Sequence, residues 1–247
     1  MNNNPLFSII TVTINNVNGL KRTLTSTINQ SFRDYEIIVI DGDSSDETKI
    51  YLESINSDCL RWTSEPDSGI FDAMNKGIHL SCGNWLIFMN SGDSFANAEV
   101  LANVHSYLCS DYAVVYGDYY LDNCKKCMAL PTKHLQVCGI MTSHQAIFFN
   151  KELCGQILSY NCRFMICSDY DLLCRINKAF PGRFHYVPVY IASTESGGIA
   201  LKSIFRLRYE SLQIVSIHYG LLGTMRWSFE QIKRGVKRIR TLNFHLP

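Results

Sequence analysis

Three stretches of the chain are apolar on both faces of an extended strand: Leu6–Thr13, Tyr35–Ile40 and Trp85–Met89. A half-exposed strand alternates apolar and polar positions, and these do not. They predict strands of a parallel sheet covered on both sides. Leu60–Ser64 is a shorter extended run of the same sheet. Between them, Leu20–Asn29, Thr48–Ile55 and Ile70–Ser81 space their apolar residues as helices do. The order β-α-β-α-β-α-β predicts right-handed crossovers.

After Asp93 the texture changes. Asn97–Cys109 predicts a helix, Tyr112–Asp118 a strand and Ala146–Phe149 a short strand. A helix opens at Ser168 with Asp169 and Asp171 in its first turn, where the helix dipole favours acids. Phe184–Ile191 predicts a strand and 195–198 a flexible break with Gly197 and Gly198 as a hinge. Ile204–Tyr219 and Trp227–Ile239 predict two amphipathic helices. The expectation is an α/β fold, Rossmann-like, with a mostly parallel central sheet flanked by helices and a C-terminal helical extension. The body spans 1–200 and the tail 201–247.

The chain has 247 residues, 47% of them apolar, enough for one large α/β domain. Its net charge of +1 hides an asymmetry. Residues 1–200 hold fourteen Lys/Arg against twenty Asp/Glu, and 201–247 hold nine against two. A basic tail on an acidic body predicts a polyanionic surface as partner, and nothing in the overall balance asks for nucleic acid. No basic leader precedes the first apolar run, so the ten cysteines are expected to be reduced and mostly buried as small apolar residues. Cys124 and Cys127 have the spacing of half a zinc site, and Cys138 alone does not complete it. No apolar run approaches the ~20 residues of a membrane span.

Ligands of open α/β sheets collect at the carboxyl ends of strands. Acidic turns are expected there at Asp41/Asp43, Asp93 and Asp118. Singly, each is compatible with an ordinary helix cap. Together on neighbouring strands they would crowd negative charge, which a cation or a donor-rich ligand would offset. Gly92 beside Asp93 leaves room for a ligand to approach the backbone. The chain has no GxxxxGK[ST], no GxGxxG after the first strand and no GxSxG. A nucleotide would then be held by strand-end carboxylates, backbone groups and a metal.

The segments Ser8–Asn16, Val39–Thr48, Ser64–Gly77 and Asn90–Asp93 fall in an order and spacing that resemble family 2 glycosyltransferases, above all bacterial enzymes of O-antigen, capsule and exopolysaccharide synthesis. The resemblance covers roughly residues 6–200. It implies a GT-A fold, a nucleotide-sugar donor, a divalent cation (Mn²⁺ or Mg²⁺) and inversion at the anomeric carbon. By position it puts Thr11, Thr13, Asn15 and Asp41 around the base and ribose, with Asp43 just beyond. It has Asp67, Asp72 and Asn75 close that pocket from the helix side. Asn90, Ser91, Gly92 and Asp93 stand at the DxD-type metal motif. Asn90 and Gly92 occupy positions that are often Asp, which leaves Asp93 as the protein's metal ligand. Position 42, often a second Asp, is Gly42 here. Asp169 matches the general base and Asp171 a structural acid. His144 and Gln145 would contact donor sugar or acceptor, although His144 also reads as a satisfied turn residue.

The implied reaction moves a hexose (Glc, Gal or an N-acetyl form) from a nucleotide sugar to a polyprenyl-diphosphate-linked saccharide, forming a β linkage in repeat-unit or lipopolysaccharide synthesis. UDP is the expected nucleotide, ahead of GDP and dTDP. The implied location is the cytoplasmic face of the inner membrane, and a homodimer is left open. In the tail, Trp227, Phe229, Ile232, Val236 and Ile239 are expected on one helical face with Lys and Arg around the rest, a pattern that suits an anionic membrane and also an ordinary surface helix. A nucleotide-sugar binder without catalysis and a membrane-surface scaffold remain the other readings.

Overall fold

The computed structural model describes residues 4–137, 139–195 and 203–243, with 235–243 as backbone alone. The first half alternates strand and helix: β1 (Phe7–Thr13), α1 (Val17–Ile28), β2 (Tyr35–Asp41), α2 (Thr48–Ser54), β3 (Leu60–Ser64), α3 (Ile70–Leu80) and β4 (Trp85–Phe88). Next come β5 (Ser94–Phe95), α4 (Val100–His105), β6 (Val114–Leu121), β7 (Lys125–Cys127) and β8 (Ile147–Asn150). The chain continues with α5 (Lys151–Cys154), α6 (Ser168–Ala179), β9 (Phe184–Thr194) and α7 (Ile204–Asn243).

One sheet runs β3-β2-β1-β4-β8-β6-β9-β5, with β7 added to β6. β1 pairs in parallel with both β2 and β4, and β2 with β3. β8 is inserted antiparallel between β4 and β6, which restores the common direction for the parallel pair β6–β9. From β1 the chain moves outward to β2 and β3, then returns to place β4 on the other side of β1. That reversal opens a crevice at the carboxyl ends of β1 and β4.

The double-sided burial read from the sequence has a direct cause. Even-numbered Ile10, Val12, Ile38, Ile40 and Phe88 pack with Phe71 and Met74 of α3 and with α6. Odd-numbered Phe7, Ile9, Ile37, Val39 and Ile87 pack with Leu20 and Leu24 of α1 and Val104 of α4. Neither face meets water, so neither alternates. Phe7, Phe88, Phe148 and Phe149 are fully buried, each contributing about 1.5–3 kcal/mol of transfer free energy. Gly77 lets α3 settle on β1: a Cβ there would lie 2.4 Å from Ile10 Cγ2.

Several expectations shift. The helix expected over 97–109 is confined to Val100–His105, because Asn97 is spent on the turn, its Oδ1 accepting from the Glu99 amide at 2.9 Å. Asp118 is not at a strand end. It lies inside β6, accepts from Tyr186 Oη at 3.1 Å and from the Ala129 amide at 2.8 Å, and belongs to the sheet's own bonding. β2 and β4 flank β1 rather than each other, so Asp41 and Asp93 do not crowd. Of the nine described cysteines, all free, only Cys154, Cys167 and Cys174 are buried; Cys82, Cys109, Cys124 and Cys162 are exposed. Cys138 and the expected hinge at Gly197 and Gly198 lie outside the described residues.

The tail is one helical run broken at Gly220, whose φ of 64° and ψ of −162° suit glycine alone. Ile204, Leu207, Arg208 and Ser211 from before the break line one cavity with Trp227, Gln231 and Arg234 from after it. In a straight helix Arg208 and Arg234 would stand about 39 Å apart. The second half therefore folds back along the first. Ile214, Val215 and Trp227 join the core that holds Ile10 and Phe88.

Candidate active site

At the mouth of the crevice, a cavity of about 340 Å³ is lined by Thr13, Asn16, Asp67, Gly69, Asn90 and Ser91, among others. A second, of about 360 Å³, continues from it through the shared Ile70 and Asn90, and holds Asp93, His144, Gln145, Asp169 and Glu195. A third, of about 360 Å³, adjoins the second through the shared Ile140, Ile166 and Asp169 and is lined by α6 and α7. Asp169 therefore sits in the wall between the second and third.

The turn after β4 is held by the chain itself. The Thr23 hydroxyl donates to Asp93 O at 2.6 Å and accepts from the Gly92 amide at 3.0 Å. Asp93 N–H returns to Asn90 O at 2.9 Å. Gly92 takes φ 109°, the conformation that requires glycine here. The Asp93 carboxylate accepts from Gln145 Nε2 and, at 3.4 Å, from the Glu195 amide. Burial pushes its pKa up to about 6, with the Glu195 carboxylate adding to the rise. Asn90 Nδ2 meets His144 Nε2 at 2.9 Å, while Asn90 Oδ1 is buried and, among the described residues, meets no partner. Burial holds His144 down at about 4, so its ring is neutral at ordinary pH.

Asp169 opens α6. Its Oδ1 accepts from the Tyr170 amide at 2.7 Å, and burial raises its pKa to about 6. Asp171, two residues on, faces away. It accepts from Arg175 Nε and His218 Nε2, each at 2.8 Å, which ties α6 to α7. Glu210 makes a second tie: its carboxylate accepts from the Met165, Ile166 and Cys167 amides at 2.9–3.0 Å and from Arg206 Nε at 3.0 Å. An α7 side chain thus fixes the loop that leads into Asp169. Sequence reasoning missed Glu210. It also missed Glu195, which pairs with Arg22 at 2.5 Å beside Asp93.

The nucleotide-side expectations divide. Thr13, Asp67 and Ser91 line the first cavity. The hydroxyls of Thr11 and Thr13 are buried and, among the described residues, meet no partner. Asp41 is fully buried and bonded inward, accepting from the Ser44 amide at 3.0 Å and Ser64 Oγ at 2.6 Å. Asn15 and Asp43 are set in the turns above it: Asn15 Oδ1 accepts from the Ser45 amide at 2.8 Å, and Asp43 pairs with Lys49 at 2.6 Å. Asp72, in the first turn of α3, accepts from the Ser68 amide at 2.9 Å. Asn75 does not face the pocket, because both ends of its amide are committed to the Tyr160 backbone, at 2.7 and 2.9 Å. Gly42 has a local reason. A Cβ there would stand 2.6 Å from Asp67 Oδ2, so the Asp67 carboxylate fills the space a side chain at 42 would take.

Among the described residues no group of three or more His, Cys, Asp or Glu could by itself hold a metal. The donors that are present still fit a hard cation: Asp93 and Asn90 line one cavity, and among the described residues the buried Asn90 Oδ1 meets no partner. One carboxylate together with substrate phosphates is a normal arrangement for Mg²⁺-like ions.

Strand order, crevice and acidic turn together define a GT-A fold. Residues 8–166 match the family described as Glycosyl transferase family 2. The chain belongs to that family and is a glycosyltransferase of the hexosyltransferase class. A "PGL/p-HBAD biosynthesis glycosyltransferase" of Mycobacterium bovis is 33% identical over 210 residues, covering 79% of each chain. The Escherichia coli "UDP-Glc:alpha-D-GlcNAc-diphosphoundecaprenol beta-1,3-glucosyltransferase WfgD" is 26% identical over 153 residues, 61% of this chain and 56% of that one. Among solved structures, S. aureus TarS 1-349 in complex with UDP-GlcNAc superposes with a TM-score of 0.68 at 16% identity, over 86% of this chain and 66% of that one. The mannosyltransferase PcManGT from Pyrobaculum calidifontis, in complex with GDP-Man and Mn²⁺, gives 0.67 at 17%, over 85% and 63%.

Proposed function

We propose that the protein is an inverting, metal-dependent hexosyltransferase that takes its sugar from a UDP-linked donor. The observation that carries this is the shared cavity of Asp93 and Asp169, which also opens into the cavity over β1. The nucleotide lies in the first cavity, between Thr13, Asp67 and Ser91. Its diphosphate reaches the turn at 90–93, and the sugar projects past His144 and Gln145 toward Asp169.

Asp93 and Asn90 Oδ1 would hold Mn²⁺ or Mg²⁺, which when bound neutralises charge on the departing diphosphate. Neutral His144 positions Asn90, and Gln145 positions Asp93. Asp169 takes the proton of the acceptor hydroxyl as that oxygen attacks the anomeric carbon. A pKa of about 6 leaves it charged at neutral pH and more basic than an ordinary Asp. Loop and helix contacts from Glu210 keep it aimed at the sugar.

The acceptor we propose is a saccharide on a polyprenyl diphosphate, in O-antigen or capsule repeat-unit synthesis. The glucosyl transfer to a diphosphoundecaprenol-linked sugar for which the E. coli relative is named supports that class. The UDP-GlcNAc and GDP-Man complexes of the two solved relatives support a nucleotide sugar, and the Mn²⁺ of the second supports the cation. The exposed stripe Leu221, Leu222, Met225, Phe229 and Ile232 of α7, with Arg226 and Lys233 beside it, supports a peripheral place on an anionic membrane. Among the described residues no helix is long and apolar enough to cross one.

The test is turnover of UDP-sugars with Mn²⁺ and prenyl-diphosphate-linked saccharides. Chelation and Asp93→Ala should each abolish transfer. Undiminished turnover by Asp93→Ala would refute the cation's place.

A further inference from the structure

The third cavity adjoins the one assigned to the donor sugar and reaches the same carboxylate. Asp169 closes one end, and the two halves of α7 form the opposite wall. Each half contributes one face: Ile204, Leu207, Arg208 and Ser211 are spaced i, i+3, i+4, i+7, and Trp227, Gln231 and Arg234 are spaced i, i+4, i+7. Folding back at Gly220 is what brings both arginines to one space of about 360 Å³. That size is within the range of small-molecule sites.

The lining is chemically split. Arg208 and Arg234 carry the positive charge, and among the described residues that line the space Asp169 is the one carboxylate. Guanidinium groups suit phosphate oxygens because their fork of donors matches them. The remainder is mixed: Ser211 and Gln231 are polar, and Ile204, Leu207 and Trp227 give the α7 side its apolar part. Trp227 is 8% exposed, so its ring already belongs to that wall and needs no rearrangement to offer it.

We propose that this cavity is the acceptor subsite, in which Arg208 and Arg234 bind a diphosphate whose attached apolar chain runs along Ile204, Leu207 and Trp227. The inference rests on the glycosyltransferase reading above and deepens it. The sugar joined to that diphosphate lies between the arginines and Asp169, so one saccharide unit separates the bound phosphates from the hydroxyl that reacts. Donor and acceptor reach Asp169 through adjoining cavities, and neither must leave for the other to enter. The tail thereby becomes part of the site.

The probe is farnesyl diphosphate, titrated calorimetrically into the full chain alongside farnesol and inorganic pyrophosphate. Farnesyl diphosphate should bind, and both partial probes should bind at least tenfold more weakly. Arg208→Gln should weaken farnesyl diphosphate about tenfold, Arg208→Lys should recover part of that loss, and Arg208→Gln with Arg234→Gln should weaken it further. Arg208 is solvent-exposed, so its single variants keep the test decisive where the double variant fails to fold. UDP titrated into the same samples should bind all forms equally and should not displace the probe. Equal affinity of Arg208→Gln and wild type, displacement by UDP, or pyrophosphate binding as tightly as farnesyl diphosphate would each overturn the proposal. Absence of UDP binding in the wild type would instead remove the donor site, and the acceptor role with it.

Discussion

Burial gives Asp93 and Asp169 the same raised pKa, about 6, and the consequence differs for stability and for rate. For stability, native Asp169 holds its proton more tightly than the unfolded chain does. Its contribution is present below the ordinary Asp value and is lost as pH rises through about 6. Asparagine cannot ionise. Asp169→Asn should therefore be more stable than wild type at pH 7, by on the order of 1–2 kcal/mol for a half-buried group, and the gap should close toward pH 4. Thermal melts at both pH values check this, and identical melts throughout would refute the burial argument. For rate, the same variant should lose about 10²–10⁴-fold in transfer while still binding UDP. Wild-type activity should fall as pH drops below about 6, and His144, neutral down to about 4, should leave no second inflection between.

A second residue-scale prediction concerns Gly42. Its missing side chain is the room occupied by Asp67 Oδ2. Gly42→Ala should push the Asp67 carboxylate out of the nucleotide cavity and weaken UDP by about 1–2 kcal/mol, the scale of one hydrogen bond to a charged group. Isothermal titration measures it, and an unchanged Kd would show that Asp67 does not touch the nucleotide.

Elements were legible in the chain to different degrees, for physical reasons. The double-sided runs at 7–13, 35–41 and 85–88 fixed strands because nothing else buries both faces of so short a segment. The antiparallel insertion of β8 was not legible, since pairing direction leaves no trace in a four-residue apolar run. Trp227 and Phe229 were expected on one face, yet at about 100° per residue they point some 160° apart. Trp227 is buried and Phe229 is 57% exposed. Glu210 gave no pattern signal, but an acid in a basic tail that ends up 3% exposed has to be paid for with donors, and three backbone amides and Arg206 supply them. Glu210→Ala should lower stability by about 2–4 kcal/mol in urea unfolding, because three amides lose a charged acceptor. Glu210→Gln should recover only part of that. A loss under 1 kcal/mol in the alanine variant would mean the clamp is dispensable.

At the scale of the molecule, α7 has two opposite faces with different work. After Gly220, Trp227, Gln231 and Arg234 line the third cavity, while Leu221, Leu222, Met225, Phe229 and Ile232 form a stripe that is 57–81% exposed. An apolar stripe of this length on a soluble surface marks an interaction site. Its neighbours choose among partners: Arg226 and Lys233 flank it, and the sequence adds Lys237, Arg238 and Arg240 within the next two turns. Anionic lipid satisfies both halves of that demand, hydrocarbon for the stripe and headgroup phosphates for the cations, with each surface cation worth about 1 kcal/mol. The full chain should sediment with vesicles containing phosphatidylglycerol, and salt should release it, since exposed charges more than a Debye length apart are screened. Leu222→Glu places a carboxylate in the stripe and should cut vesicle binding at least tenfold. It should leave farnesyl diphosphate and UDP binding in detergent-free solution unchanged, because residue 222 lines neither cavity. Equal sedimentation of the variant would move the stripe from lipid to a protein partner, and equal binding to neutral and anionic vesicles would remove the part given to the cations. If the stripe does rest on lipid, the inward face of the same helix stands one helix diameter, about 10 Å, above the bilayer, close enough for a prenyl chain to stay partly in the membrane while its diphosphate reaches Arg208.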